Sequence, residues 1–207
     1  RPVDEILNEI KNLLNSGVKE ITLLGQNVNS YSSKFCIQSP ELNKKLINNK
    51  SVVQINFAKL LEKISTIDTK NKFWLRFMTN HPKDMNEEIV SVIKKYSNIC
   101  HHIHLPLQSG SDKILKLMNR KYTSKQYSNL IKLIRKKIPK IAITTDLIVG
   151  FPKETEQDFM KTYNMVKKIQ FDSAFVFKYS PRDGTKAAKL KDTVDKKTKQ
   201  YRHYKLL

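Results

Sequence analysis

Helical stripes and short β-branched runs alternate along this chain, and that alternation limits its fold more than any other feature. Apolar residues at Ile6, Leu7, Ile10, Leu13 and Leu14 share one helical face, with Pro2 at the first helical position and Gly17 just past the end. Further stripes follow at Phe57/Leu60/Leu61/Ile64, Ile89/Val90/Ile93, Ile114/Leu115/Met118, Leu130/Ile131/Ile134 and Phe159/Tyr163/Val166/Ile169. Strand-like runs stand between them at 20–24, 73–77, 99–105, 141–149 and 174–179. Strands separated by helices predict parallel pairing, because each parallel pair needs a crossover of about a dozen residues or more. The pattern leaves an open α/β sheet and an α/β barrel both possible. Ser32 to Ser51, with the Lys-Asn-rich stretch Asn43–Lys50, carries no sustained period and is expected to be a solvated surface loop. The lysine-rich tail from Lys186 reads either as a mobile end or as the start of a helix leading elsewhere.

The chain has 207 residues, 39% of them hydrophobic, enough for a sizeable core in one domain or most of one. No run approaches the roughly 18 uncharged apolar residues of a spanning helix, and Arg1-Pro2-Val3-Asp4-Glu5 is neither a signal nor a transit peptide. A membrane partner is therefore not expected, and the compartment, cytoplasmic or organellar, is not written in the chain. Two cysteines, Cys36 and Cys100, exclude a disulfide framework or a four-cysteine metal site and read as scattered reduced thiols. Lys+Arg number 39 against 19 Asp+Glu, a formal charge of +20. Most of that charge is lysine, as AT-rich coding also produces, yet such a chain attracts polyanions, nucleic acid first among them.

Glycine is scarce, and Gly25, Gly110, Gly150 and Gly184 each follow the end of a predicted strand. In α/β folds that edge is where sites are built. Polar clusters share it: Gly25-Gln26-Asn27, Thr79-Asn80-His81-Pro82, Gln108-Ser109-Gly110-Ser111-Asp112, Thr144-Thr145-Asp146 and Tyr179-Ser180-Pro181-Arg182-Asp183-Gly184. Each has a plain alternative. Gln108 to Ser111 suits ligand contact or a helix N-terminus equally, and Thr155 with Asp158 reads as a capping box. Asp146 interrupts an apolar run, where a carboxylate is expensive unless it is paired or used. His102 and His104 share a strand face, either as two ligands of a metal-dependent barrel hydrolase or as hydrogen-bonded strand histidines. The sequence offers no obvious third ligand, so no metal site is expected. His81, before Pro82, is a substrate contact or a turn residue.

Four runs occur in an order and spacing that resemble the radical S-adenosylmethionine methylthiotransferases: LLGQNVNSY from Leu23, HIHLPLQSGSDKILKLMNR from His102, TTDLIVGFP from Thr144 and FKYSPR from Phe177. Gly25-Gln26-Asn27-Val28 is similar to the branch acting on isopentenylated adenosine in tRNA, since other branches carry an acidic or Gln-Asp version there. The resemblance covers residues 1–190. It implies a partial (β/α)6 TIM-like barrel lacking its first strand, with a surface insertion at about 32–51, and a basic tail at 191–207 leading to a C-terminal RNA-binding domain. In the family a C-x-x-x-C-x-x-C motif just before an R-S-R-P run holds the 4Fe-4S cluster that cleaves S-adenosylmethionine, and three cysteines of a preceding domain hold a second, sulfur-supplying cluster. Cys36 and Cys100 match none of these, which implies a fragment that holds no cluster and is inactive alone.

The family reaction abstracts hydrogen from C2 of the adenosine beside the anticodon and installs sulfur, then methyl, with an electron-donor protein reducing the cluster. A monomer is expected. By the same resemblance, Gly25, Gln26 and Asn27 lie along the methionine amino end, Ser109, Gly110 and Arg120 take its carboxylate, and Ile148 and Gly150 flank adenine with Asp146 in the same pocket. Phe177, Lys178, Tyr179 and Arg182, with His81, are assigned to a splayed tRNA base and its phosphates; ordinary barrel packing is the alternative. The chain departs from the family pattern at Lys121, at Lys153, where a glycine is usual, and at Asp183, where proline is usual. No catalytic residue is assigned. A non-catalytic RNA-binding barrel stands beside the hydrolase as a competing reading.

Overall fold

The computed structural model describes residues 1–37, 51–69, 72–78 and 80–207. The expected loop stretch Asn43–Lys50 and Thr79 lie outside the described residues. The chain divides into two compact units, Arg1–Thr79 with Asn86–His101, and Asn80–Met85 with His102–Leu207. Among the described residues no helix is long and apolar enough to cross a membrane.

In the first unit, α1 (Val3–Asn15) follows Pro2 directly and buries Val3, Ile10 and Leu14 of its apolar stripe. Gly17 then takes φ +94°, a left-handed turn that suits a residue without Cβ. Strand β1 (Glu20–Leu23) pairs parallel with β4 (Trp74–Phe77), Ile21 opposite Leu75 and Leu23 opposite Phe77. Leu75 bridges Ile99 in parallel as well. Helix α2 (Phe57–Ser65) starts where Asn56 Oδ1 accepts from the Lys59 amide, and it buries Phe57, Leu60, Leu61 and Ile64. Helix α3 (Glu87–Lys95) is capped the same way by Asn86 and buries Ile89, Val90 and Ile93.

One expectation is corrected here. The ends of the presumed loop form an antiparallel pair, β2 (Ser32–Ile37) and β3 (Ser51–Asn56), with Ser32 opposite Asn56 and Lys34 opposite Gln54. Cys36 therefore lies in a strand. Each run is too short to show a period of its own, and the cross-strand ladder supplies the order that neither carries alone.

The second unit is built on a parallel sheet in the order β5 (His102–His104), β6 (Ala142–Val149), β7 (Ser173–Lys178). Alternation along β6 buries Ile143, Thr145, Leu147 and Val149, and leaves Thr144, Asp146 and Ile148 on the half-open face beside Phe175 and Phe177. Helices α4 (Asp112–Leu117), α5 (Ser124–Lys137) and α6 (Glu156–Ile169) follow the strands, and Tyr127, Ile131, Ile134, Phe159 and Ile169 add to the core. Thr155 and Asp158 form the expected capping box of α6. The basic tail ends in α7 (Lys196–Leu206), which contacts β6 and β7.

Candidate functional site

The C-terminal ends of β6 and β7 open onto a cleft of about 930 Å³. Strand alternation presents Asp146 and Ile148 to it from β6, and register sets Phe177 beside Ile148. The loop after β5 reaches the same wall because Gln108 adds a rung to β6: its amide donates to the Asp146 carbonyl at 2.8 Å and its carbonyl accepts from Ile148 at 2.9 Å. Gln108 does so at φ +65°, an uncommon conformation for a side chain with Cβ. Arg120 arrives through the end of α4, where Asn119 turns left-handed at φ +58° and the Arg120 amide closes onto the Leu115 carbonyl at 2.8 Å. Tyr179 is fixed by its amide on the Val149 carbonyl, and its ring meets Phe151 edge-on with centroids 4.9 Å apart.

The walls combine cations, aromatic faces and unmet hydrogen-bonding capacity. Arg120, Lys178, Arg182 and Lys186 line the cleft, with Asp146 as the carboxylate among its described lining residues. Gln108 Oε1, Arg120 Nε and the Tyr179 hydroxyl are buried without a protein partner among the described residues. Buried polar groups normally have partners, so such atoms suit a ligand that supplies them. Burial, then Asp192, pushes the Tyr179 phenol up, and burial, then Arg120, lowers His81. A ligand matched to this cleft carries an anionic group, a flat ring and several donors and acceptors.

The radical SAM superfamily model matches residues 1–166. This chain belongs to the radical SAM superfamily. Across all of its length it is 49% identical to the tRNA-2-methylthio-N(6)-dimethylallyladenosine synthase of Thermodesulfovibrio yellowstonii, covering 43% of that protein. It is 46% identical to the synthase of the same name from Alkaliphilus oremlandii, covering 40% of it. The chain thus spans less than half the length of these relatives. Coproporphyrinogen III oxidase of Escherichia coli, a radical SAM enzyme, superposes with TM-score 0.61 at 18% identity over 96% of this chain and 43% of its own. The radical S-adenosylmethionine methyltransferase of Kitasatospora setae does so with TM-score 0.61 at 13% identity, over 86% of this chain and 31% of its own. At those identities the likeness is one of fold.

Among the residues assigned by resemblance, Arg120, Asp146, Ile148, Phe177, Lys178, Tyr179 and Arg182 line this one cleft of the radical SAM chain. Ser109 and Gly110 do not. Ser109 is fully buried with its hydroxyl 3.2 Å from Thr162 Oγ1, and the Gly110 amide donates to the same oxygen at 2.9 Å. A Cβ on Gly110 would stand 2.7 Å from the Lys161 carbonyl, so the glycine serves close approach to α6. Gly150 is likewise spoken for: at φ +70° it faces the Lys199 side chain, into which a Cβ would run. His81 Nδ1 accepts from the Lys83 amide at 3.2 Å, capping the turn Pro82–Asp84. Gly25 and Asn27 line a cleft of about 540 Å³ in the first unit, and Gln26 between them is exposed.

One ring nitrogen of each of His102 and His104 lies 3.0 Å from Thr144 Oγ1. Lys153, at φ +68°, donates its amide to Thr193 Oγ1 at 3.0 Å and accepts at its carbonyl from Lys113 Nζ at 3.0 Å. The sequence placed Gln108 in a polar cluster suited equally to ligand contact or a helix N-terminus, and the structure sets it in the cleft wall. Sequence reasoning missed the buried Arg202–Glu154 pair at 2.8 Å, for which no local signal exists.

Proposed function

We propose that this chain is the S-adenosylmethionine-binding core of a tRNA methylthiotransferase, part of a barrel of six β/α units without its first strand. The full-length protein then 2-methylthiolates N6-isopentenyladenosine beside the anticodon. The observation that carries this reading is the convergence of Arg120, Asp146, Ile148, Phe177, Tyr179 and Arg182 on one cleft, three of whose lining residues carry an unpartnered buried polar atom.

The residues present suit S-adenosylmethionine, which when bound supplies the methyl group and the source of the radical. Arg120 offers a planar guanidinium to its carboxylate. Ile148 and Phe151 give an apolar surface for adenine, and Gln108 Oε1 accepts from an amino or hydroxyl group. Phe177 and Tyr179 offer stacking faces to a tRNA base, with Lys178 and Arg182 for its phosphates. Two cysteines fall short of a three-thiolate set, so these residues do not fit a 4Fe-4S cluster. In the full-length protein the clusters, and the electron-donor protein that reduces them, act through ligands outside these 207 residues.

Calorimetry on the full-length protein tests the reading. Arg120→Ala should weaken S-adenosylhomocysteine binding about tenfold or more and leave tRNA affinity within about twofold. Arg182→Ala should do the reverse and lower the salt slope of tRNA binding by about one. Equal loss of both ligands in both variants would overturn it.

A further inference from the structure

Below the cleft, three side chains form a line that ends on Asp146. Thr144 Oγ1 lies 3.0 Å from His102 Nε2 and 3.0 Å from His104 Nδ1. His104 Nε2 faces Asp146 Oδ2 at 3.3 Å, with the His104 side chain 9% exposed and that of Asp146 27% exposed. These contacts follow from the pleat: His102 and His104 share one face of β5, Thr144 and Asp146 share that face of β6, and His104 stands opposite Thr144 in register.

Proton counting gives this line a direction. A bare Nε2 lone pair against a carboxylate oxygen is repulsive, so His104 carries its proton on Nε2. In the neutral ring its Nδ1 is then an acceptor, to which the Thr144 hydroxyl donates. A hydroxyl has one proton, so Thr144 can only accept from His102, which donates through Nε2. Every link therefore points the same way: His102 to Thr144, Thr144 to His104, His104 to Asp146.

We propose that His104 is a positioning residue, held in a single tautomer by Thr144 and His102, that fixes the Asp146 carboxylate so that Oδ2 is engaged and Oδ1 faces the cleft. Oδ1 has no protein partner among the described residues, and it receives a donor of the bound nucleoside, a hydroxyl or an amino group. The identity of that ligand rests on the function proposed above; the donor chain itself does not. Phe175, edge-on to the His104 ring with centroids 6.3 Å apart, keeps the imidazole from turning out of line.

Long-range proton–nitrogen correlation spectra of the full-length protein, labelled with 15N-histidine and free of cluster, read the tautomers directly. Both His102 and His104 should be neutral and protonated at Nε2, and Thr144→Val should abolish the fixed His104 pattern. A His104 proton on Nδ1, or a His104 pattern unmoved by Thr144→Val, overturns the donor chain. Binding of S-adenosylhomocysteine reads the consequence. Asp146→Asn should weaken it about tenfold, and His104→Leu and Thr144→Val about three- to tenfold, without adding to Asp146→Asn. His104→Gln, which keeps an N–H near the Nε2 position, and Thr144→Ser should restore binding to within about twofold. Loss in Asp146→Asn with wild-type binding in both His104→Leu and Thr144→Val overturns the positioning role. Absence of binding in the wild type, with the tautomers as expected, overturns the ligand assignment and upholds the donor chain.

Discussion

Two loops of the second unit each carry a glycine at which a Cβ would clash, and they are held by different means. The loop at 108–111 is pinned by hydroxyls. Thr162 takes the Gly110 amide and meets Ser109, and Ser111 donates to Asp158 at 2.7 Å. The wall behind Gly110 is the backbone of α6. The loop at 150–156 is pinned by charge. Glu154, 5% exposed, accepts from the Gly150 amide at 2.7 Å and from Arg202 at 2.8 Å, and Arg202, 4% exposed, also pairs with Glu156 at 3.2 Å. The wall behind Gly150 is the Lys199 side chain of α7. A lock of hydroxyls between close-packed backbones resists small changes sharply, whereas a buried ion pair stands or falls with its partner.

Breaking the ionic lock should have the largest effect. Arg202→Met leaves Glu154 buried and unpaired and should cost about 3–5 kcal/mol in urea denaturation, much of it recovered in the double variant with Glu154→Leu. The glycines sharpen the contrast. Gly110→Ala meets backbone that cannot give and should cost about 3 kcal/mol. Gly150→Ala runs into Cγ of Lys199, a buried side chain paired with Asp192, and adds the left-handed φ, for about 2–3 kcal/mol.

Acid separates the two loops further. Burial opposes ionisation of Asp158, yet hydrogen bonds from Lys113, Ser111 and Thr155 hold its carboxyl well below the ordinary 3.8. Its contribution is therefore present above that value and lost as pH falls through the folded-state value. Burial pushes Glu154 above its ordinary 4.5 against the pull of Gly150 and Arg202. Its contribution is greatest at low pH and declines as pH rises past 4.5. Stability of Asp158→Asn relative to wild type should improve on acidification below about 4, and that of Glu154→Gln should worsen over a higher range, as pH falls toward 4.5, both read from urea midpoints. The smallest effect is a gain: Lys153→Gly keeps both backbone hydrogen bonds and relieves φ +68°, raising stability by about 1 kcal/mol.

Much of the fold was legible because its signals are local. The stripes of α1, α2, α3, α5 and α6, the parallel strands and the Thr155–Asp158 box each depend on residues within a turn or two of one another. The hairpin β2–β3 was not, since its two runs become strands only by pairing with each other. In the site, strand alternation placed Asp146 and Ile148 on one face, and resemblance brought Arg120 and the run from Phe177 to the same cleft. Resemblance also assigned Ser109 and Gly110 to a ligand, whereas the structure turns them against α6; the composition of a Ser-Gly-Ser loop is the same for either use.

From the letters alone came an α/β chain with parallel strands, a polar edge at their ends and a cationic character suited to a polyanion, because period, capping and charge are properties of neighbouring residues. Tertiary structure alone decided which partner each glycine makes room for, which atoms are left without partners, and how a tail read only as basic seats Lys199 and Arg202 in the interior. Arg202 and Glu154 lie 48 residues apart. A buried ion pair exists only when two surfaces close over it, so neither charge announces it in its own stretch of sequence.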